Sequence, residues 1–169
     1  DPLLHGGGQQ RGLRSGTQDV AGAAAFAVAA ELAVAELAEE SERLSVMRDR
    51  LIAGVLATVA GAELLGDPID RLPGNAHILF PDASGESLLF LLDMAGVSVS
   101  TGSACQAGVP EPSHVVTAMG RTEREAREVL RFTLGRSTTD ADIDAALRVL
   151  PDAVERARAA SGPRPDGRS

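Results

Sequence analysis

The spacing of hydrophobic positions changes partway along this chain. From Gln18 to about Val59, apolar residues recur three and four apart: Val20, Ala23, Ala24, Ala27 and Val28, then Leu44, Met47, Leu51 and Val55. That spacing predicts helix, over a stretch longer than a typical globular helix. The polar run Glu39-Glu40-Ser41-Glu42 either divides it or faces water. After Gly61 the pattern shortens. Ala62-Glu63-Leu64-Leu65 reads as a short strand stopped by Gly66-Asp67-Pro68, and Asn75–Phe80 as a second strand ended by Pro81. Glu86–Ala95 carries Leu88, Leu89, Leu91 and Leu92 and reads as a buried helix, with Ser84 as candidate cap and Gly96 as its stop. Val97–Ser100 follows as a strand. Ser113 can cap a short helix through Met119, and Thr122 with Glu125 forms a capping box for the next. Leu130-Arg131-Phe132-Thr133-Leu134 alternates, a strand with Arg131 and Thr133 on one face. Thr139 with Asp142 opens the last helix, in which Pro151 should produce a kink near Leu147–Leu150.

This order predicts an α+β fold: a small antiparallel sheet with helices on one face, preceded by a long connector helix. The expected divisions are a glycine-rich loop at 1–17, the connector helix at 18–60, a small α+β domain at 61–160, and a Pro/Gly/Arg-rich disordered tail at 161–169. No internal repeat is visible.

Composition narrows the picture. A hydrophobic fraction of 44% supports a core, and with 2% aromatic residues that core must be aliphatic. A net charge of −8 argues against a nucleic-acid binder. The single cysteine excludes an internal disulfide and suits a reducing, cytoplasmic location. Val20–Ala38 is apolar, but Glu31 and Glu36 interrupt it, so no membrane span is expected. The chain starts on Asp1, and its first residues read as a loop from the middle of a domain. It contains no lysine: all 16 basic residues are arginine.

Three stretches carry candidate chemistry. His5–Thr17 is a glycine-rich loop with Arg11, Arg14, Ser15 and Thr17. It is either a linker before a helix capped by Ser15 or Thr17, or a cradle for an anion such as phosphate. Ser100-Thr101-Gly102-Ser103-Ala104-Cys105 runs from the end of a strand into a loop punctuated by Gly108, Pro110 and Pro112. A lone cysteine is commonly a small buried hydrophobe, whereas the loop after Cys105 points to exposure. Arg131, between Leu130 and Phe132, is either a surface residue or an anion ligand. His5, His77 and His114 are read as structural, and no metal site is expected.

Taken together, Gly6–Thr17, Ser100–Cys105 and Leu130–Arg136 resemble, in order, the C-terminal part of a cysteine desulfurase of the NifS/IscS-like branch. These are pyridoxal 5'-phosphate (PLP) enzymes of the class V aminotransferase group. The resemblance spans roughly residues 3–158. It implies the C-terminal domain of a PLP fold-type I enzyme. In that setting Cys105 is the nucleophile that takes sulfur from L-cysteine as a persulfide and leaves L-alanine. Arg131 holds the substrate carboxylate with a bidentate fork that lysine could not reproduce. Thr17 donates its hydroxyl to the PLP phosphate of the neighbouring subunit in a homodimer.

The family's PLP-anchoring lysine belongs to a preceding domain, as do the aspartate beside the pyridine nitrogen and the histidine stacked on the ring. The chain therefore reads as a C-terminal piece that is inactive without an N-terminal domain. The implied partners are L-cysteine and a sulfur acceptor, an iron–sulfur scaffold or a tRNA-thiolation protein, with neither nucleic acid nor membrane bound directly. Two alternatives stay open. One is a non-enzymatic sulfur-relay or interaction module. The other is a related class V enzyme such as a selenocysteine lyase.

Overall fold

The computed structural model describes residues 1–102 and 112–162. The described part forms two compact units, Asp1–Glu39 and a second from Glu40 onward. The expected tail beyond Gly162, like Cys105 itself, lies outside the described residues.

In the first unit a glycine-rich loop precedes helix α1. The loop holds a 3-10 turn at Gln10–Gly12 and a parallel bridge between Leu4 and Arg14. Helix α1 (Val20–Thr58) starts at Asp19, whose Oδ1 accepts from the Gly22 backbone N–H at 2.8 Å. Neither Ser15 nor Thr17 caps it. A carboxylate one residue before the helix meets the free N–H groups of its first turn better than hydroxyls two and four residues further back. No break occurs at Glu39–Glu42, and the polar run stays helical. The predicted stripe Met47, Leu51 and Val55 is buried. Val20, Phe26, Val28, Leu32, Val34 and Leu37, in the first half of α1, are exposed. By length and hydropathy α1 is apolar enough to cross a membrane, a test that core helices of soluble proteins also pass.

The second unit is built on a three-stranded antiparallel sheet in the order β1 (Glu63–Leu64), β2 (Asn75–Leu79), β3 (Val129–Thr133). Pairing of Ala76 with Phe132 and of Ile78 with Leu130 puts these four residues on one face. That face is covered by α1, by α2 (Gly85–Met94) through Leu88 and Leu92, and by α4 (Asp140–Ser161) through Ile143, Ala146, Leu150, Ala153, Val154 and Ala157. Arg158 of α4 donates to the carbonyls of Pro81 and Ala60, each at 2.9 Å. Helix α4 opens with the predicted Thr139–Asp142 capping box and stays helical past Pro151 to Ser161, the first residue of the expected tail.

Three expectations are corrected. Helices do not lie on one face alone. Leu79 and Val129 pair on the opposite face and bury with Leu65, with Val116 of α3 (His114–Ala118) and with Ala126 of a 3-10 turn at Glu125–Arg127. The apolar residues of β2 and β3 alternate less strictly than a one-sided sheet requires, and these two exceptions need their own cover. Next, Val97–Ser100 is not a strand. The Val97 N–H donates to the Leu92 carbonyl at 2.9 Å, closing the end of α2, and only Ser100 reaches the sheet. Finally, Ser84 and Ser113 precede their helices without a side-chain cap, and Ser113 is buried. The Thr122–Glu125 box forms, but it opens a 3-10 turn rather than a full helix.

Candidate functional site

The alternation of β3 that buries Leu130 and Phe132 places Arg131 and Thr133 on the other face. β3 is an edge strand, and Arg131 uses its outer backbone groups. Its N–H donates to the Ser100 carbonyl at 2.6 Å and its carbonyl accepts from the Ser100 N–H at 3.2 Å. Across the sheet Arg131 faces His77. With its backbone groups turned toward Ser100, this is the closer, non-hydrogen-bonded kind of antiparallel pair. The Arg131 side chain is half-buried, and no carboxylate pairs with it among the described residues.

His77 went unrecognised in the sequence. It is half-buried, and its Nε2 is fully buried with no hydrogen-bond partner among the described residues. Burial first, and the Arg131 charge second, push its pKa below the ordinary value of 6.5, so the ring is neutral at pH 7. Gly102 packs against this ring with φ +80°. A Cβ there would stand 3.3 Å from His77 Nε2 and 3.9 Å from the Arg131 Cβ. The Gly102 N–H is held by Ser100 Oγ at 3.0 Å. Ser100, Gly102, His77 and Arg131 therefore meet at one point on the sheet, immediately before the segment that contains Cys105. The signal for His77 was its position: register puts it opposite Arg131 once β2 and β3 are known to be neighbours, which one sequence does not state.

A crevice of about 310 Å³ lies elsewhere, lined by Val97, Ser98, Thr133, Ile143 and Ala146 among others. It includes neither Arg131 nor His77.

Thr17 belongs to the first unit and is exposed. Arg14 closes the turn before it by donating to the carbonyls of Gly16 at 2.9 Å and Thr17 at 3.2 Å, and the Gly16 N–H donates to Gln9 Oε1 at 2.9 Å. Arg14 thus shapes the loop. Gln10 and Arg11 take φ of 52° and 58°, values uncommon outside glycine. An exposed hydroxyl beside exposed loop arginines suits a phosphate, and an unpaired arginine on a sheet face suits a carboxylate. The chain has no lysine to anchor PLP covalently. The residues present fit the non-covalent contacts of that cofactor and its substrate.

The Aminotransferase class-V family pattern matches residues 5–146. Over 162 residues the chain is 55% identical to an IscS-like cysteine desulfurase of Mycobacterium tuberculosis, covering 95% of this chain and 41% of that protein. It is 46% identical over 160 residues to a cysteine desulfurase of Cereibacter sphaeroides, covering 95% and 41%. Among solved structures, a NifS-like protein superposes with a TM-score of 0.77 at 34% identity, over 92% of this chain and 39% of that one. The chain thus spans about two fifths of the length of the curated relatives it matches.

Proposed function

Since this chain belongs to the class V aminotransferase family, we propose that it is part of a PLP-dependent cysteine desulfurase, which converts L-cysteine to L-alanine and carries the released sulfur on Cys105. The observation that carries this reading is Arg131. It is half-buried on the sheet face it shares with His77, without a carboxylate partner among the described residues, and bound through its backbone to Ser100, on the segment that leads toward Cys105.

In this reading the Arg131 guanidinium grips the substrate carboxylate through two parallel N–H donors and orients the substrate thiol. The Cys105 thiolate attacks the substrate sulfur. A sulfur–sulfur bond forms as the substrate carbon–sulfur bond breaks, and the three-carbon remainder takes up a proton to leave as alanine. Bound PLP supplies the electron sink that makes the carbon–sulfur bond labile. The Thr17 hydroxyl donates to its phosphate across a homodimer interface. The persulfide is then attacked by an acceptor protein, an iron–sulfur scaffold or a tRNA-thiolation protein, in the cytoplasm. A sulfur-relay module without catalysis would need neither a carboxylate clamp nor a phosphate loop.

The family pattern runs through α1, which supports a protein surface rather than a lipid one over its apolar first half. The test is the intact mass of the chain after incubation with L-cysteine and PLP, with and without a lysine-bearing N-terminal domain from a relative. One added sulfur on Cys105 only with that domain supports the reading. Sulfur acquired only from an already persulfidated donor protein favours a relay module. No sulfur under any condition, with Cys105 inert to a thiol reagent, overturns both.

A further inference from the structure

We propose that His77 is a second, proton-linked member of the anion site at Arg131: a carboxylate arriving at the guanidinium draws a proton onto the neighbouring imidazole, and the anion is then held in the field of two cations rather than one. The proposal rests on the reading of Arg131 as a carboxylate ligand and extends it to a residue with no role in that reading.

The geometry carries it. His77 and Arg131 are opposed in register on one sheet face, in the pairing that brings side chains closest. The buried Nε2 has no partner among the described residues, so a nitrogen able to hold a proton is left without a structural task there. Gly102 covers that nitrogen with no side chain, and any Cβ would press on the ring edge. Histidine is also the side chain whose charge can change under physiological conditions. Among the described residues, the surroundings of the ring supply no other charge to do this work. Just after β1, Leu65 donates its N–H to the His77 carbonyl at 2.8 Å, and Glu63 of β1, on the same face as His77, is paired to Arg121 at 2.8 Å. Residues 100–102 are uncharged. Helix α3 adds apolar Val116 to that face, while His114 at its start is exposed. Burial, and after it the Arg131 charge, keeps His77 neutral, and the Arg131 part is what a bound anion cancels. The proton comes from solvent and forms a bond at the ring nitrogen; no covalent bond breaks in the protein. Because linkage is reciprocal, the anion raises the affinity of His77 for the proton by the same factor as the proton raises affinity for the anion, about tenfold for charges this near at a partly solvated surface.

The experiment follows the His77 ring by NMR in the full chain, titrating pH with and without saturating acetate or L-alanine, alongside the anion's affinity between pH 5 and 8. The expected result has three parts. The His77 titration moves to higher pH when the anion binds. Affinity rises about tenfold on acidification. His77→Asn, which keeps a polar side chain of similar reach, abolishes that pH dependence while retaining binding. In the free protein, Arg131→Gln moves the His77 titration upward, since it removes the opposing charge. Binding that needs Arg131 but leaves the His77 titration unmoved, or that keeps its pH dependence in His77→Asn, overturns the proposal and leaves the reading of Arg131 intact. Failure of either anion to bind, or binding unaffected by Arg131→Gln, overturns that reading and the proposal with it.

Discussion

His77 costs the fold something that an apolar residue would not. Its neutral ring is buried beside a fixed positive charge, so the folded state holds its proton less tightly than the unfolded chain does. The folded pKa lies below 6.5, and between the two values the unfolded chain binds more protons. Stability therefore falls as pH drops below about 6.5, and the loss levels off once pH has passed the folded value. His77→Asn should flatten that part of the curve, read as urea midpoints at several pH values; an unchanged slope would mean that other groups control it. At this scale the sequence was partly legible. Arg131 stood out because a charge between Leu130 and Phe132 on an alternating strand needs an explanation. His77 did not, because its meaning depends on which strand lies beside it. Thr17 and Cys105 were candidates from the make-up of their loops, and the roles proposed for them came through motif resemblance.

At the scale of elements, the sequence was most legible where a segment is long and periodic or carries both halves of a capping signal. Helices α1 and α4 and strands β2 and β3 satisfy their own rules locally. Val97–Ser100 failed as a strand because its first residue serves the end of α2, a contact set by chain geometry rather than propensity. The start of α2 is also set by packing. A Cβ on Gly85 would stand 2.8 Å from the Val129 carbonyl oxygen and 2.9 Å from that of Arg127, backbone atoms that cannot swing away. Gly85→Ala should cost roughly 1–3 kcal/mol by overpacking, although alanine is the better helix former. A Tm equal to or above that of the parent chain would show that the helix start can shift. Thr139→Ala removes the cap of α4 and should cost about 1 kcal/mol. That loss is also readable as a lower Tm.

Across the whole molecule, the exposed side chains of Val20, Phe26, Val28, Leu32, Val34 and Leu37 gather on the first half of one helix. A soluble chain seldom leaves such a surface uncovered. The purified chain should associate with itself, or with a protein that covers this helix, in a concentration-dependent way by light scattering. A monodisperse monomer at high concentration would contradict that. The order of the elements has a further consequence, in time rather than in space. Sheet and α2 are synthesised before α4, yet α4 supplies much of the cover for their shared apolar face and, through Arg158, ties down the turns at Ala60 and Pro81. At cellular elongation rates the 22 residues of α4 take about one to four seconds to make. During that interval the nascent chain presents a half-roofed sheet to solvent, so a chaperone, or a pause in translation, acts on this protein most strongly just before α4 emerges.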